Sequence, residues 1–119
     1  MDVALAPFGG EAGPVAKGTL EQRPWRELRG ADGRRLTWIE FGEPKGAPVL
    51  YMHLDFGLIR WPAAAERAAL ARGLRVIVPV RAGYGRTEPL AKGADHLAGI
   101  VRDYAAVLDH LGVKDAIAL

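Results

Sequence analysis

One stretch constrains this chain more than any other: Arg75-Val76-Ile77-Val78-Pro79-Val80-Arg81-Ala82-Gly83-Tyr84-Gly85-Arg86-Thr87. Its first half, Val76 to Val80, is a short β-branched run with no polar alternation. Such a run suits a strand covered on both faces, as in a parallel sheet under helices. Its second half turns at once to Arg, Gly and Tyr. Two glycines flanking one aromatic, just past a strand end, form a sharply turned loop at the carboxyl edge of a sheet. In open α/β sheets that edge is where ligands bind.

The flanking chain supplies the other elements. Residues 1–22 are rich in Gly, Ala and Pro with no steady period, and are expected to be a flexible leader. Residues 23–119 then form the domain. Trp25-Arg26-Glu27-Leu28 and Leu36 to Phe41 are strand candidates joined by the turn signal Ala31-Asp32-Gly33-Arg34, which makes an antiparallel hairpin. After a loop crowded with breakers, Val49 to His53 is a third strand. Leu54 to Arg60 is a loop, and Pro62 opens a helix over Ala63 to Arg72 that Gly73 closes. Asp95 is a good N-cap for a second helix, with Leu97, Ile100, Val101, Tyr104, Val107, Leu108 and Leu111 at helical spacing as an apolar, sheet-packing stripe. Gly112 stops it, and Ala116 to Leu119 is a fifth strand. Strands alternating with helices imply right-handed crossovers and a parallel core. The fold class is therefore α/β, an antiparallel hairpin followed by parallel strands with crossover helices.

Composition narrows the function. The 119 residues suffice for one small domain. The formal charge is only +2 and the arginines are scattered, so no nucleic-acid stripe is expected. There is no cysteine, which excludes disulfides and Cys-based metal sites. No secretory signal is visible at Met1 to Gly10, and no apolar run approaches the ~18 residues of a membrane span. A soluble cytoplasmic protein is the expectation, with no membrane partner.

In this order and spacing the chain resembles the amino-terminal half of the α/β-hydrolase fold, over about residues 24–119. In that family a strand ends in His-Gly, and a later one runs into Asp-Arg-x-Gly-aromatic-Gly-x-Ser. Here the third strand ends in His53, and Arg81-Ala82-Gly83-Tyr84-Gly85-Arg86-Thr87 matches the second motif. The resemblance implies hydrolysis of an ester, amide, epoxide or similar bond in a small-molecule substrate. It also implies a nucleophile elbow just beyond Leu119, with the acid and catalytic His later still. The chain departs from the pattern at two places within its own length. Leu54-Asp55 follows His53 where the family has Gly, and Val80 stands where it often has Asp.

Chemistry within these residues is limited. Serine is absent, and Thr19, Thr37 and Thr87 have no evident base beside them, so no nucleophilic triad can be assembled. The chain alone is expected to be inactive, with no catalytic residue within it. His53 is implied to shape the loop after its strand rather than to act as base. His53, His96 and His110 share no metal spacing, so no metal or other cofactor is expected. Gly83-Tyr84-Gly85 is a poor phosphate loop.

The candidates for an oxyanion hole or pocket are His53, Leu54, Asp55, Arg81 and Tyr84. In the family one backbone N–H of the loop after His53 stabilises the oxyanion. A carboxylate at Asp55, ~5 Å from that charge at an effective dielectric near 20, would oppose it by roughly 3 kcal/mol. Two readings stay open: Asp55 turns away and pairs with Arg60 or Arg81, or the site does no acyl transfer. The rival function is a non-catalytic hydrolase-like binding or regulatory domain, such as one part of a multidomain transcriptional regulator. The uncharged fifth strand also offers an open edge for self-association.

Overall fold

The computed structural model describes residues 25–53 and 63–119. In chain order its elements are β1 (Arg26–Arg29), β2 (Arg35–Gly42), β3 (Ala47–Leu50), α1 (Ala63–Ala71), β4 (Leu74–Pro79), α2 (His96–His110) and β5 (Ile117–Ala118). The leader expected at 1–22, the loop Leu54 to Arg60 and the helix-opening Pro62 lie outside the described residues.

All five strands form one sheet in the order β1-β2-β4-β3-β5. Asp32-Gly33 makes the hairpin turn, with Gly33 at φ 85° and its N–H donating to the Gly30 carbonyl at 2.9 Å. That turn sets β1 antiparallel to β2, with Glu27 opposite Thr37. β2 runs antiparallel to β4, and β4, β3 and β5 are mutually parallel. The strand expected to be covered on both faces is so covered: β4 pairs with both β2 and β3, and Ile77 and Val78 have no exposed surface. Parallel neighbours need a crossover, and α1 supplies it between β3 and β4.

The two helices cover opposite faces. Ala69 of α1 packs with Ile39, Phe41, Val49, Val76 and Val78, whereas Val107 of α2 packs with Trp38 and Ile77. Adjacent strand residues point to opposite faces, so Trp38 and Ile39, like Ile77 and Val78, belong to different layers. This arrangement explains why neither β2 nor β4 alternates in polarity. At the far end of β2, Gly42 takes φ 89°, and a Cβ there would sit 2.2 Å from the Leu74 carbonyl oxygen. Only glycine lets β2 approach β4 so closely. The Gly42 N–H is satisfied by the buried Glu66 carboxylate of α1 at 2.9 Å.

Two expectations need correction. The α2 stripe holds at Tyr104, Val107, Leu108 and Leu111 but not towards its start: Leu97 is 73% and Val101 59% exposed, while Gly99 and Asp103 are buried. Asp103 faces inward because its carboxylate makes an ion pair with Arg34 Nη2. The caps are as expected: the Asp95 side chain accepts from the Ala98 N–H at 3.0 Å, and Gly112 follows the helix at φ 71°. Secondly, β3 ends at Leu50, not His53. Its ladder bonds nonetheless continue, because the Tyr51 N–H donates to the Ile77 carbonyl and the Met52 N–H to the Leu119 carbonyl. Among the described residues no helix is long and apolar enough to cross a membrane.

Candidate functional site

The loop after β4 is built from two consecutive turns. The Tyr84 N–H donates to the Arg81 carbonyl at 2.9 Å, and the Thr87 N–H to the Tyr84 carbonyl at 3.0 Å. Gly83 at φ 86° and Gly85 at φ 50° allow this reversal, since L side chains rarely adopt such angles. A buried pair of hydroxyls anchors the loop to β2: Thr87 Oγ1 lies 2.7 Å from Thr37 Oγ1 and accepts from the Thr37 N–H at 3.1 Å. The two hydroxyls thus satisfy each other, the arrangement a buried polar pair requires.

Three of the five sequence-derived site residues meet here. His53 is only 3% exposed, and its Nε2 accepts the Arg81 backbone N–H at 2.9 Å. Its ring meets Tyr84 edge-on, with centroids 5.5 Å apart at 66°. The Arg81 guanidinium lies 5.1 Å from the centre of the same Tyr84 ring, within cation–π range. The carboxyl ends of β3 and β4 are therefore locked together by one side chain-to-backbone bond and one aromatic contact. An imidazole nitrogen that accepts an N–H carries no proton of its own. His53 Nε2 could take a proton only by giving up the Arg81 bond, a poor arrangement for a general base. Leu54 and Asp55, the remaining two candidates, lie outside the described residues, as do Trp61 and Arg60.

Arg34 is fully engaged beside this edge. Arg34 Nε donates to Asp32 Oδ2 at 2.7 Å, and its Nη1 to the Glu88 carbonyl at 2.9 Å. The hydrogen bond from Arg34 holds the Asp32 carboxyl below its ordinary value. Tyr104, on the buried face of α2, has its phenol pushed up by burial, against the opposing pull of the Arg81 charge. Neither the Arg34–Asp103 pair nor the Thr37–Thr87 pair is legible in the sequence. Each joins residues at least 50 positions apart, and no local pattern marks such a contact. Among the described residues no group of three or more His, Cys, Asp or Glu side chains could hold a metal.

No family model matches the chain. A non-heme haloperoxidase from Rhodococcus erythropolis is 30% identical over 95 residues, which cover 73% of this chain and 31% of that protein. An epoxide hydrolase from Vigna radiata superposes with a TM-score of 0.64 at 28% identity, over 85% of this chain and 32% of its own. An esterase from Exiguobacterium antarcticum gives 0.59 at 22% identity, over 77% and 33% of the two chains, and at that identity shows likeness of fold. These likenesses, with the fold, point to the α/β-hydrolase superfamily over part of its length. The chain spans about a third of the length of the relatives it matches.

Proposed function

We propose that the protein to which these residues belong hydrolyses an ester, amide, epoxide or similar bond in a small molecule, by attack of a nucleophile lying beyond Leu119. The observation that carries this reading is the His53–Arg81–Tyr84 cluster at the carboxyl ends of β3 and β4. It fixes the starting point of the loop from which a hydrolase of this fold takes one oxyanion-stabilising N–H. His53 acts there as a positioning residue and Arg81 and Tyr84 border the pocket, while Leu54 and Asp55 remain the candidates that follow His53 in the sequence. The similarity to an epoxide hydrolase and to a haloperoxidase supports the enzyme class and leaves the bond type open. We place the protein in the cytoplasm, working without a cofactor.

Residues 1–119 alone should not turn over substrate, because the nucleophile, the acid and the catalytic histidine are all placed beyond Leu119. The test is a paired assay with activated esters and a small epoxide. The 119-residue chain should match its heat-inactivated control, and a chain extended along the same reading frame should show saturable turnover. Turnover by the 119 residues, surviving rigorous purification, would overturn the assignment of the nucleophile.

One feature favours a second reading. Leu54-Asp55 stands where the family has a glycine, and a carboxylate there opposes an oxyanion. A non-catalytic binding or regulatory domain within a multidomain transcriptional regulator would tolerate that change. An extended chain that binds small molecules but never turns them over would favour it.

A further inference from the structure

On the hairpin side of the Gly-Tyr-Gly loop lies a cleft of about 310 Å³, lined by Trp25, Glu27, Arg35, Thr37 and Arg86. The register places these residues together. Glu27 sits opposite Thr37 on the paired strands, and residues two apart along a strand share a face, so Arg35 joins Thr37. Trp25 packs into the cluster beneath α1 and forms the floor. Gly85 makes the close approach possible: a Cβ there would lie 3.0 Å from the Trp25 ring. Arg86 then folds over the indole, its guanidinium carbon 6.0 Å from the ring centre. Arg35 donates its Nε to the Arg86 carbonyl at 2.8 Å, which fixes the guanidinium while leaving its terminal nitrogens uncommitted to any carboxylate among the described residues. Arg86 likewise meets no carboxylate among them, and Glu27 meets no cation.

The walls therefore present two guanidinium groups and one carboxylate that meet no opposite charge among the described residues, with the Trp25 indole beside Arg86. Guanidinium groups favour a carboxylate through paired, charge-assisted N–H donors. A carboxylate favours an ammonium, and an indole favours a flat apolar body. We propose that this cleft binds a free aromatic α-amino acid or a close analogue, its carboxylate at Arg35 and Arg86, its ammonium at Glu27 and its ring on Trp25. A single charge of either sign would leave one wall unmatched, whereas a zwitterion matches both. A cleft of this volume lies at the small end of ligand sites and suits a molecule of that size. It would bind such a ligand whether or not the protein is a hydrolase.

The test is an NMR titration of the full 119-residue chain with three probes: phenylalanine, 3-phenylpropionate, which lacks the ammonium, and phenethylamine, which lacks the carboxylate. Phenylalanine should shift the Trp25 indole N–H and the Gly85 and Arg86 amides saturably. Each of the other probes should bind at least about tenfold more weakly, a difference of about 1.4 kcal/mol. Glu27→Gln should erase the preference for phenylalanine over 3-phenylpropionate. Arg86→Gln should abolish binding of both, with the Ile77 and Val78 amides unmoved to report an intact sheet. No saturable shift with phenylalanine would overturn the proposal, as would phenethylamine binding equally well or Arg86→Gln leaving affinity unchanged.

Discussion

Arg34, just before β2, and Asp103, in the middle of α2, form a largely buried ion pair across 69 residues of chain, with side chains 12% and 8% exposed. The same guanidinium holds Asp32 of the hairpin turn and the Glu88 carbonyl after the Gly-Tyr-Gly loop. One side chain thus ties together the hairpin, the site loop and the helix on the far face of the sheet. Removing one partner of such a pair strands the other charge in poor solvent.

Asp103→Ala should therefore lower stability by about 3 kcal/mol in a chemical denaturation experiment. Asp32→Ala, whose carboxylate is half exposed, should cost less than about 1 kcal/mol. Equal losses for the two variants would show that Asp103 is no more than a surface partner.

The His53 bond to the Arg81 N–H has its own readout. In His53→Ala that amide should exchange with deuterium roughly tenfold faster, because its acceptor and the edge contact with Tyr84 are both lost. In His53→Gln an amide oxygen can take over as acceptor, and protection should largely return. Unchanged exchange in His53→Ala would remove His53 as the group that positions this loop.

Glu40 should give the sheet an acid-sensitive component. Burial raises its carboxyl pKa, but hydrogen bonds from Arg75 Nε at 2.6 Å and Trp38 Nε1 at 3.0 Å, with the charges of Arg75 and Arg26, outweigh burial. The net result lies below the ordinary glutamate value of 4.5. A carboxyl with a depressed folded-state pKa adds stability that is full above its unfolded value and lost as pH falls through the folded one. Thermal melts should accordingly lose stability on acidification below about pH 4.5, and Glu40→Gln should lose less over the same range. Parallel pH curves for the two proteins would contradict the pairing.

β5 is a sheet edge bonded on one side to β3, and Ile117 and Leu119 are 67% and 65% exposed. Leu97 and Val101 of α2 and Met52 add further exposed apolar surface. Open apolar edges recruit other chains. Light scattering on the 119-residue chain should show self-association that grows with concentration, and Ile117→Lys should suppress it. A clean monomer with a sharp, concentration-independent melt would mean the chain closes its own core.

What the sequence made legible followed from local physics. The unbroken run Val76 to Val80 marked a doubly covered strand, Asp32-Gly33 a hairpin turn, Asp95 a helix start, and Gly83-Tyr84-Gly85 a sharp loop beyond a strand. The strand order followed from their sequence together with the family resemblance. The burial of Asp103 is not legible, because a mid-helix aspartate reads as solvent-facing until its partner is known. Thr37 and Thr87 looked like isolated hydroxyls for the same reason. The end of β3 was read three residues late because Tyr51 to His53 keep an apolar character and two of the ladder bonds after the strand itself stops. His53, Arg81 and Tyr84 were identified by their motif positions, but their mutual contacts needed the fold.

The most direct test of the central claim is the nucleotide sequence that follows the codon for Leu119. A hydrolase built on this sheet should enter its nucleophile elbow there, so Gly-x-Ser-x-Gly, or an Asp in place of the Ser, is expected within about ten residues, with an acid and a histidine later in the frame. A frame that continues with glycines but no nucleophile, and then runs into a helix-turn-helix pattern, would contradict the enzymatic account and leave a binding domain in its place.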